Sequence, residues 1–90
     1  MSVVKIPTVL RPQVGGNKEV DLSGGTVREV VDALMAQYPS LKSQLLTAEG
    51  ELNRFVNVYV NGQDVRYLDG LSTPLGDADE LRLLPAMAGG

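Results

Sequence analysis

The amino-acid sequence predicts an α+β fold: a sheet of about five strands with one main helix packed across one face. Three observations predict it. Only one stretch, Thr26 to Tyr38, carries a long apolar stripe at helical spacing. Short alternating runs rich in β-branched residues flank it on both sides, giving the order β-β-α-β-β-β. And 90 residues with 43% apolar and 21% charged side chains suffice for one small domain with one core.

Each element has its own local reason. Ser2 to Ile6 is β-branched and places Val4 and Ile6 on one face; Pro7 ends it. Thr8 to Asn17, with Pro12 and Gly15-Gly16, reads as a turn or wide loop. Lys18 to Leu22 alternates, with Val20 and Leu22 on one side, and closes a hairpin with the first strand. After the linker Ser23-Gly24-Gly25, Thr26 and Glu29 have the spacing of a capping box. Val27, Val30, Val31, Leu34, Met35 and Tyr38 then form the stripe, with Arg28, Glu29, Asp32, Ala33 and Gln37 off it. Pro39 breaks the helix, and Leu41, Leu45 and Leu46 suggest a short second turn of helix before a loop from Thr47 to Asn53. Phe55 to Val60 is the strongest strand pattern in the chain; Asn61-Gly62 signals a type I′ turn into a short returning strand, Asp64 to Arg66. Turns at Asp69-Gly70 and at Gly76 to Asp79 lead to a last strand, Glu80 to Leu84.

Composition excludes several function classes. The chain has no cysteine and no histidine, which removes disulfides, thiolate nucleophiles, His-based triads and zinc sites built from those ligands. No apolar run approaches the roughly 20 residues of a membrane span, and the first residues lack the pattern of a signal peptide; a cytoplasmic protein, monomeric when free, is expected. Asp77, Asp79 and Glu80 read as turn formers rather than a cation site, because a calcium loop needs a longer ligand series. The net charge is −3, and from Glu49 onward seven acids face three arginines. No basic patch is visible, so a nucleic-acid partner is not expected. The acidic half carries the chain end, so a partner receiving that end is expected to be basic.

The chain end is the most informative stretch. Pro85 removes a backbone donor after the last strand, and Ala86, Met87, Ala88, Gly89 and Gly90 follow. Only Met87 is large, and ordering such a segment costs about 1–2 kcal/mol per residue. A domain of residues 1–84 with a thin flexible tail of residues 85–90 is therefore expected. Two glycines at the tip pass where only a backbone fits.

With these elements placed, the chain resembles the ubiquitin-like sulfur-carrier family, the MoaD-like and ThiS-like proteins of molybdopterin, thiamin and cysteine biosynthesis. The resemblance runs over nearly the whole chain and rests most on Gly76-Asp77-Ala78-Asp79-Glu80-Leu81, on Asn53 to Asn61, and on Leu83 to Gly90. Ala78 stands where the family usually has Gly, which puts the geometry of that turn in question. The wording of the last residues is closest to the actinobacterial carrier of cysteine biosynthesis. The resemblance implies a ubiquitin-like β-grasp fold, a mixed sheet whose first and last strands are parallel neighbours at the centre.

It also implies a chemistry. The Gly90 carboxylate would be adenylated by an E1-like adenylyltransferase/sulfurtransferase using ATP. Sulfide or a persulfide would then displace AMP, leaving a thiocarboxylate, 1-thioglycine, at Gly90. The carrier would bind no cofactor and would not itself be an enzyme. The acceptor it implies is a sulfur-accepting enzyme, with a PLP-dependent cysteine synthase first, and a zinc-dependent peptidase would act on the product. Two alternatives share the same terminus: a ubiquitin-like modifier joined to lysines of other proteins, and the small subunit of molybdopterin synthase.

Strand alternation adds a docking face. Val56, Val58 and Val60 suit the side under the helix, which leaves Phe55 and Tyr59 outward together with Leu84 of the last strand. An apolar patch at the base of the tail is what a partner would grip. Arg54, Arg66 and Arg82 are candidates for steering that partner or for plain solvation.

Overall fold

Five strands form one sheet in the order β2-β1-β5-β3-β4. They are β1 (Ser2–Lys5), β2 (Glu19–Leu22), β3 (Val56–Val60), β4 (Gln63–Asp64) and β5 (Glu80–Pro85). The computed structural model describes residues 1–85; Ala86, Met87, Ala88, Gly89 and Gly90, and the expectations that concern them, lie outside the described residues. β1 and β5 are parallel neighbours at the centre and the remaining pairs are antiparallel, so the sheet is mixed as expected.

One face of the sheet carries the core. Across it, Val20, Val4, Leu81 and Val60 stand in register on four successive strands, and all are buried. Helix α1 (Val27–Gln37) lies on this face with Val27, Val30, Val31 and Leu34 buried. Met35 and Tyr38 are half-buried, and Ala33, expected off the stripe, packs against the core as well. The Thr26 Oγ1 accepts the Glu29 N–H at 3.2 Å, and Glu29 Oε1 accepts the Gly25 N–H at 2.8 Å. The reciprocal half of the cap thus falls one residue before the expected partner. Pro39 starts a 3₁₀ turn that runs into α2 (Lys42–Leu45), which buries Leu41 and Leu45 as the leucine spacing predicts.

The structure corrects four boundaries. The expected loop Thr8 to Asn17 is a 3₁₀ segment, Thr8–Val14, that contains Pro12 and buries Leu10 and Val14. Pro7 and Gly15 cap its two ends, while two apolar side chains four apart, Leu10 and Val14, tie the segment to the core. The returning strand β4 comes earlier than expected: Val65–Tyr67 is a 3₁₀ turn, whose start Asp64 caps by accepting the Arg66 N–H at 2.9 Å. Winding there swings Val65 fully inside. The Asn61-Gly62 turn itself has φ of 51° and 87° at its two residues, the signs that type I′ requires. Phe55 precedes β3 rather than opening it, because Asn53 Oδ1 accepts its N–H at 2.9 Å and holds a turn there.

The fourth correction concerns Pro85, expected to be the first tail residue. It is the last residue of β5, opposite Val56. The Asn61 N–H donates to the Glu80 carbonyl at 3.0 Å, across the pair that precedes the ladder. Alternation from that pair makes Val56 and Pro85 a non-hydrogen-bonded pair. β3 asks no N–H of residue 85, and β1 pairs with β5 only as far as Arg82. A proline is accommodated because neither neighbour needs the donor it lacks.

Candidate functional site at the end of the last strand

The face of the sheet away from α1 is polar at its centre. Glu19, Lys5, Arg82, Tyr59 and Asp64 lie in register across all five strands. Lys5 pairs with Glu19 and, at 4.0 Å, with Glu80; Arg82 pairs with Glu80 at 3.7 Å. Tyr59 is half-buried within this charged row. The next outward pair toward the end of β5 is Asn57 with Leu84. Arg66 Nη1 donates to Asn57 Oδ1 at 2.7 Å, and Arg66 Nη2 donates to the Val56 carbonyl at 2.9 Å.

The expected apolar face of Phe55, Tyr59 and Leu84 is therefore rearranged. Phe55 is 64% exposed and Leu84 37% exposed, but Asn57, gripped by Arg66, stands between Phe55 and Tyr59 along the strand. Phe55 turns instead toward a small apolar cavity of about 240 Å³, which it lines with Val9, Leu10, Val56 and Pro85. The Arg54 guanidinium stacks over its ring at 5.4 Å from the centroid. Leu84 and Pro85 border a larger groove of about 540 Å³ on the other side of β5. The apolar surface is thus a collar around the point where β5 ends, made of Phe55, Val9, Leu84 and Pro85, with Tyr59 above it in the charged row.

Sequence reasoning missed one side of this collar. Val9, 63% exposed, comes from the 3₁₀ segment Thr8–Val14, and Arg11 and Lys18 flank it in the larger groove. An exposed valine between two prolines was the available signal. The charge around the strand end is also the reverse of what the chain halves suggest. Lys5, Arg11, Lys18 and Arg82 line the larger groove against a single acid, Glu19.

At the opposite end of β5 a turn fixes how the strand enters the sheet. Asp79 Oδ2 accepts the Gly76 N–H at 2.8 Å, and Asn61 Nδ2 donates to Asp79 Oδ1 at 2.8 Å. These two bonds, the backbone one foremost, hold the Asp79 carboxyl below the usual carboxylate range. Asp79 thus serves the turn, and among the described residues no cluster of three or more acids has metal-binding geometry. Ala78 causes no strain, because Asn61 is the only non-glycine residue with positive φ among the described residues. No helix among the described residues is long and apolar enough to cross a membrane.

The family model named ThiS matches residues 4–90, which leaves out only Ser2 and Val3 of the sheet and includes the Gly89-Gly90 end. The chain belongs to the ThiS family. Among similar ThiS-like proteins is the sulfur carrier protein CysO of Mycobacterium tuberculosis, 47% identical over 89 residues that span 97% of this chain and 96% of that one. A chain in the crystal structure of the Amycolatopsis orientalis BexX/CysO complex superposes with a TM-score of 0.91 at 44% identity, covering 100% of both chains. Small archaeal modifier protein 3 of Haloferax volcanii is 42% identical over 65 residues, 72% of this chain and 70% of that one. The fold is the ubiquitin-like β-grasp, with the parallel central pair β1 and β5 that distinguishes it here.

Proposed function

We propose that this ThiS-family chain is a sulfur carrier that holds sulfur as a thiocarboxylate on Gly90 and is not itself an enzyme. The observation that carries the reading is the near full-length similarity to CysO, together with a family match that runs through Gly90. The chemistry starts from an ionised carboxylate, since a terminal carboxyl has a pKa of about 3.3–3.7. Such a carbonyl resists nucleophiles until it has a good leaving group. An E1-like enzyme supplies one: a carboxylate oxygen attacks the α-phosphorus of ATP and pyrophosphate departs. Sulfide then adds to the acyl carbon and AMP departs, leaving the thiocarboxylate. No cysteine is needed, which agrees with a chain that has none.

In this reading Pro85, Ala86, Met87, Ala88 and Gly89 carry Gly90 into the partner's site, and the collar of Phe55 and Leu84 with neighbouring Tyr59 seats the domain against the partner. The CysO name points to cysteine biosynthesis as the destination, with a PLP-dependent synthase as acceptor and a zinc-dependent peptidase releasing the product. The protein acts in the cytoplasm, where ATP is available. The test is intact-mass spectrometry after incubation with ATP, activating enzyme and sulfide. The expected product exchanges one oxygen for sulfur at Gly90, and a chain lacking Gly90 gains nothing. Sulfur on the truncated chain would end the proposal.

A second reading is supported by the similarity to a small archaeal modifier protein. The same activated glycine would then be joined to lysines of other proteins. The same mass measurement separates the two, because conjugation yields a covalent adduct with another polypeptide rather than a sulfur-for-oxygen exchange.

A further inference from the structure

We propose that the groove beside the end of β5 recognises an extended acidic segment, carrying an apolar side chain, on the partner protein. Four observations converge on it. First, half of the chain's eight bases, Lys5, Arg11, Lys18 and Arg82, line this one groove in a protein of net charge −3. The sequence scatters them over four segments and the fold gathers them. Second, Lys5 and Arg82 have carboxylate partners in Glu19 and Glu80, whereas neither Arg11 nor Lys18 makes an ion pair among the described residues. Among the described residues Arg11 spends only its Nε–H, on the Ile6 carbonyl at 3.2 Å. Four cations against one lining acid, two of them without an ion-pair partner among the described residues, are complementary to a carboxylate-bearing ligand.

Third, the groove is shaped for a strand-like occupant. On the β1 side nothing among the described residues pairs with β5 beyond Arg82, because Ile6 turns its N–H to the Lys18 carbonyl at 2.8 Å and Pro7 has no N–H to offer. The channel left along Leu83, Leu84 and Pro85 is walled by Thr8 and Val9. Fourth, its apolar surface is continuous with the collar: exposed Val9 and Leu84 flank the cations, so an apolar side chain flanked by acids fits better than acid alone. This names a partner chemistry for the carrier reading and rests on it for biological context. The binding test below needs neither ATP nor sulfur, so its failure leaves that reading standing.

The experiment titrates the isotope-labelled full-length chain with an acetylated, amidated hexapeptide, Glu-Leu-Asp-Glu-Leu-Asp, and follows amide shifts by NMR. Saturable shifts confined to Lys5, Arg11, Lys18, Arg82 and Leu84 are expected. They should vanish in about 1 M salt, where the Debye length is about 3 Å. Arg11→Glu and Lys18→Glu should together weaken binding by about tenfold or more, as reversed charges across an interface do. Lys18→Glu alone, at an exposed position, should act in the same direction without touching the fold. An absence of shifts, or equal affinity for the Gln-Leu-Asn-Gln-Leu-Asn peptide, would overturn the proposal. So would three other outcomes: tighter peptide binding after removal of residues 86–90, which would make the chain's own end the occupant; concentration-dependent self-association lost in the double variant, which would make it a second copy; and stronger shifts with a single-stranded oligonucleotide than with the peptide.

Discussion

Arg66 shows how much one side chain decides here. It reads in sequence as a solvated arginine or a steering charge. In the fold its guanidinium ties the turn after β4 to the start of β3, through Asn57 Oδ1 and the Val56 and Asn53 carbonyls. Hydrogen bonds from a charged donor contribute about 1.5–3 kcal/mol, so Arg66→Ala should destabilise by about that much. Arg66→Lys should rescue little, since one ammonium cannot reproduce a planar fork; urea unfolding of both variants checks this. Gly24 is a second such residue. It reads as linker, yet a Cβ there would sit 2.9 Å from both the Val30 amide nitrogen and Val30 Cγ2. Gly24→Ala should therefore cost about 1–3 kcal/mol, the usual penalty of overpacking. Gly25→Ala, with only the Glu29 carboxylate at 3.6 Å, should cost less. Equal thermal shifts for the two variants would contradict the close approach.

At the scale of elements, the β3–β4 turn and the turn before β5 are fastened together. Asn61 accepts the Glu80 N–H at 2.9 Å through Oδ1 and donates to Asp79 through Nδ2. This joins residues 18 and 19 positions apart and sets where β5 enters its ladder with β3. The latch titrates. The Asp79 pKa is lowered in the folded protein, first by the Gly76 N–H and then by Asn61. A depressed carboxyl contributes stability above its unfolded pKa and loses it as pH falls through the folded value. Stability should thus decline on acidification below the ordinary carboxylate range, and Asp79→Asn should flatten part of that decline. Unfolding midpoints across a pH series for both proteins test this; parallel curves would mean that Asp79 is not the titrating latch.

At the scale of the molecule, the core and the functional end divide the chain between them. The buried apolar cluster runs from Val4 to Leu83 and uses only the helix-facing side of the sheet. Removing residues 86–90 should accordingly leave the thermal midpoint unchanged while abolishing sulfur loading. A large fall in the midpoint would show that those residues contribute to the folded domain. In the proposed carrier, the outer face is the one that meets partners. Leu84→Ala should weaken binding to the activating enzyme by about 1–3 kcal/mol, the range of a well-placed apolar anchor, with little change in stability. Tyr59→Ala, in the charged row, should lose more stability and less affinity than Leu84→Ala. Calorimetry beside thermal melts distinguishes the two.

The sequence by itself determined what depends on neighbours in the chain. The stripe of α1, the alternation of Val56, Val58 and Val60, and the Asn61-Gly62 turn are legible because helix and strand periods and turn dihedrals are local properties. The glycine pair at the end is equally local, and the proposal for Gly90 is built on it. Only the tertiary structure decided what depends on pairing. The 3₁₀ segment Thr8–Val14 looks like loop until Leu10 and Val14 have a core to enter. Pro85 looks like a strand breaker until the ladder places it where no donor is needed. The basic groove is invisible in a chain whose acidic half holds its end, because charge per segment is not charge per face. Lys5, Arg11, Lys18 and Arg82 meet only when β1 and β5, the first and last strands, lie side by side.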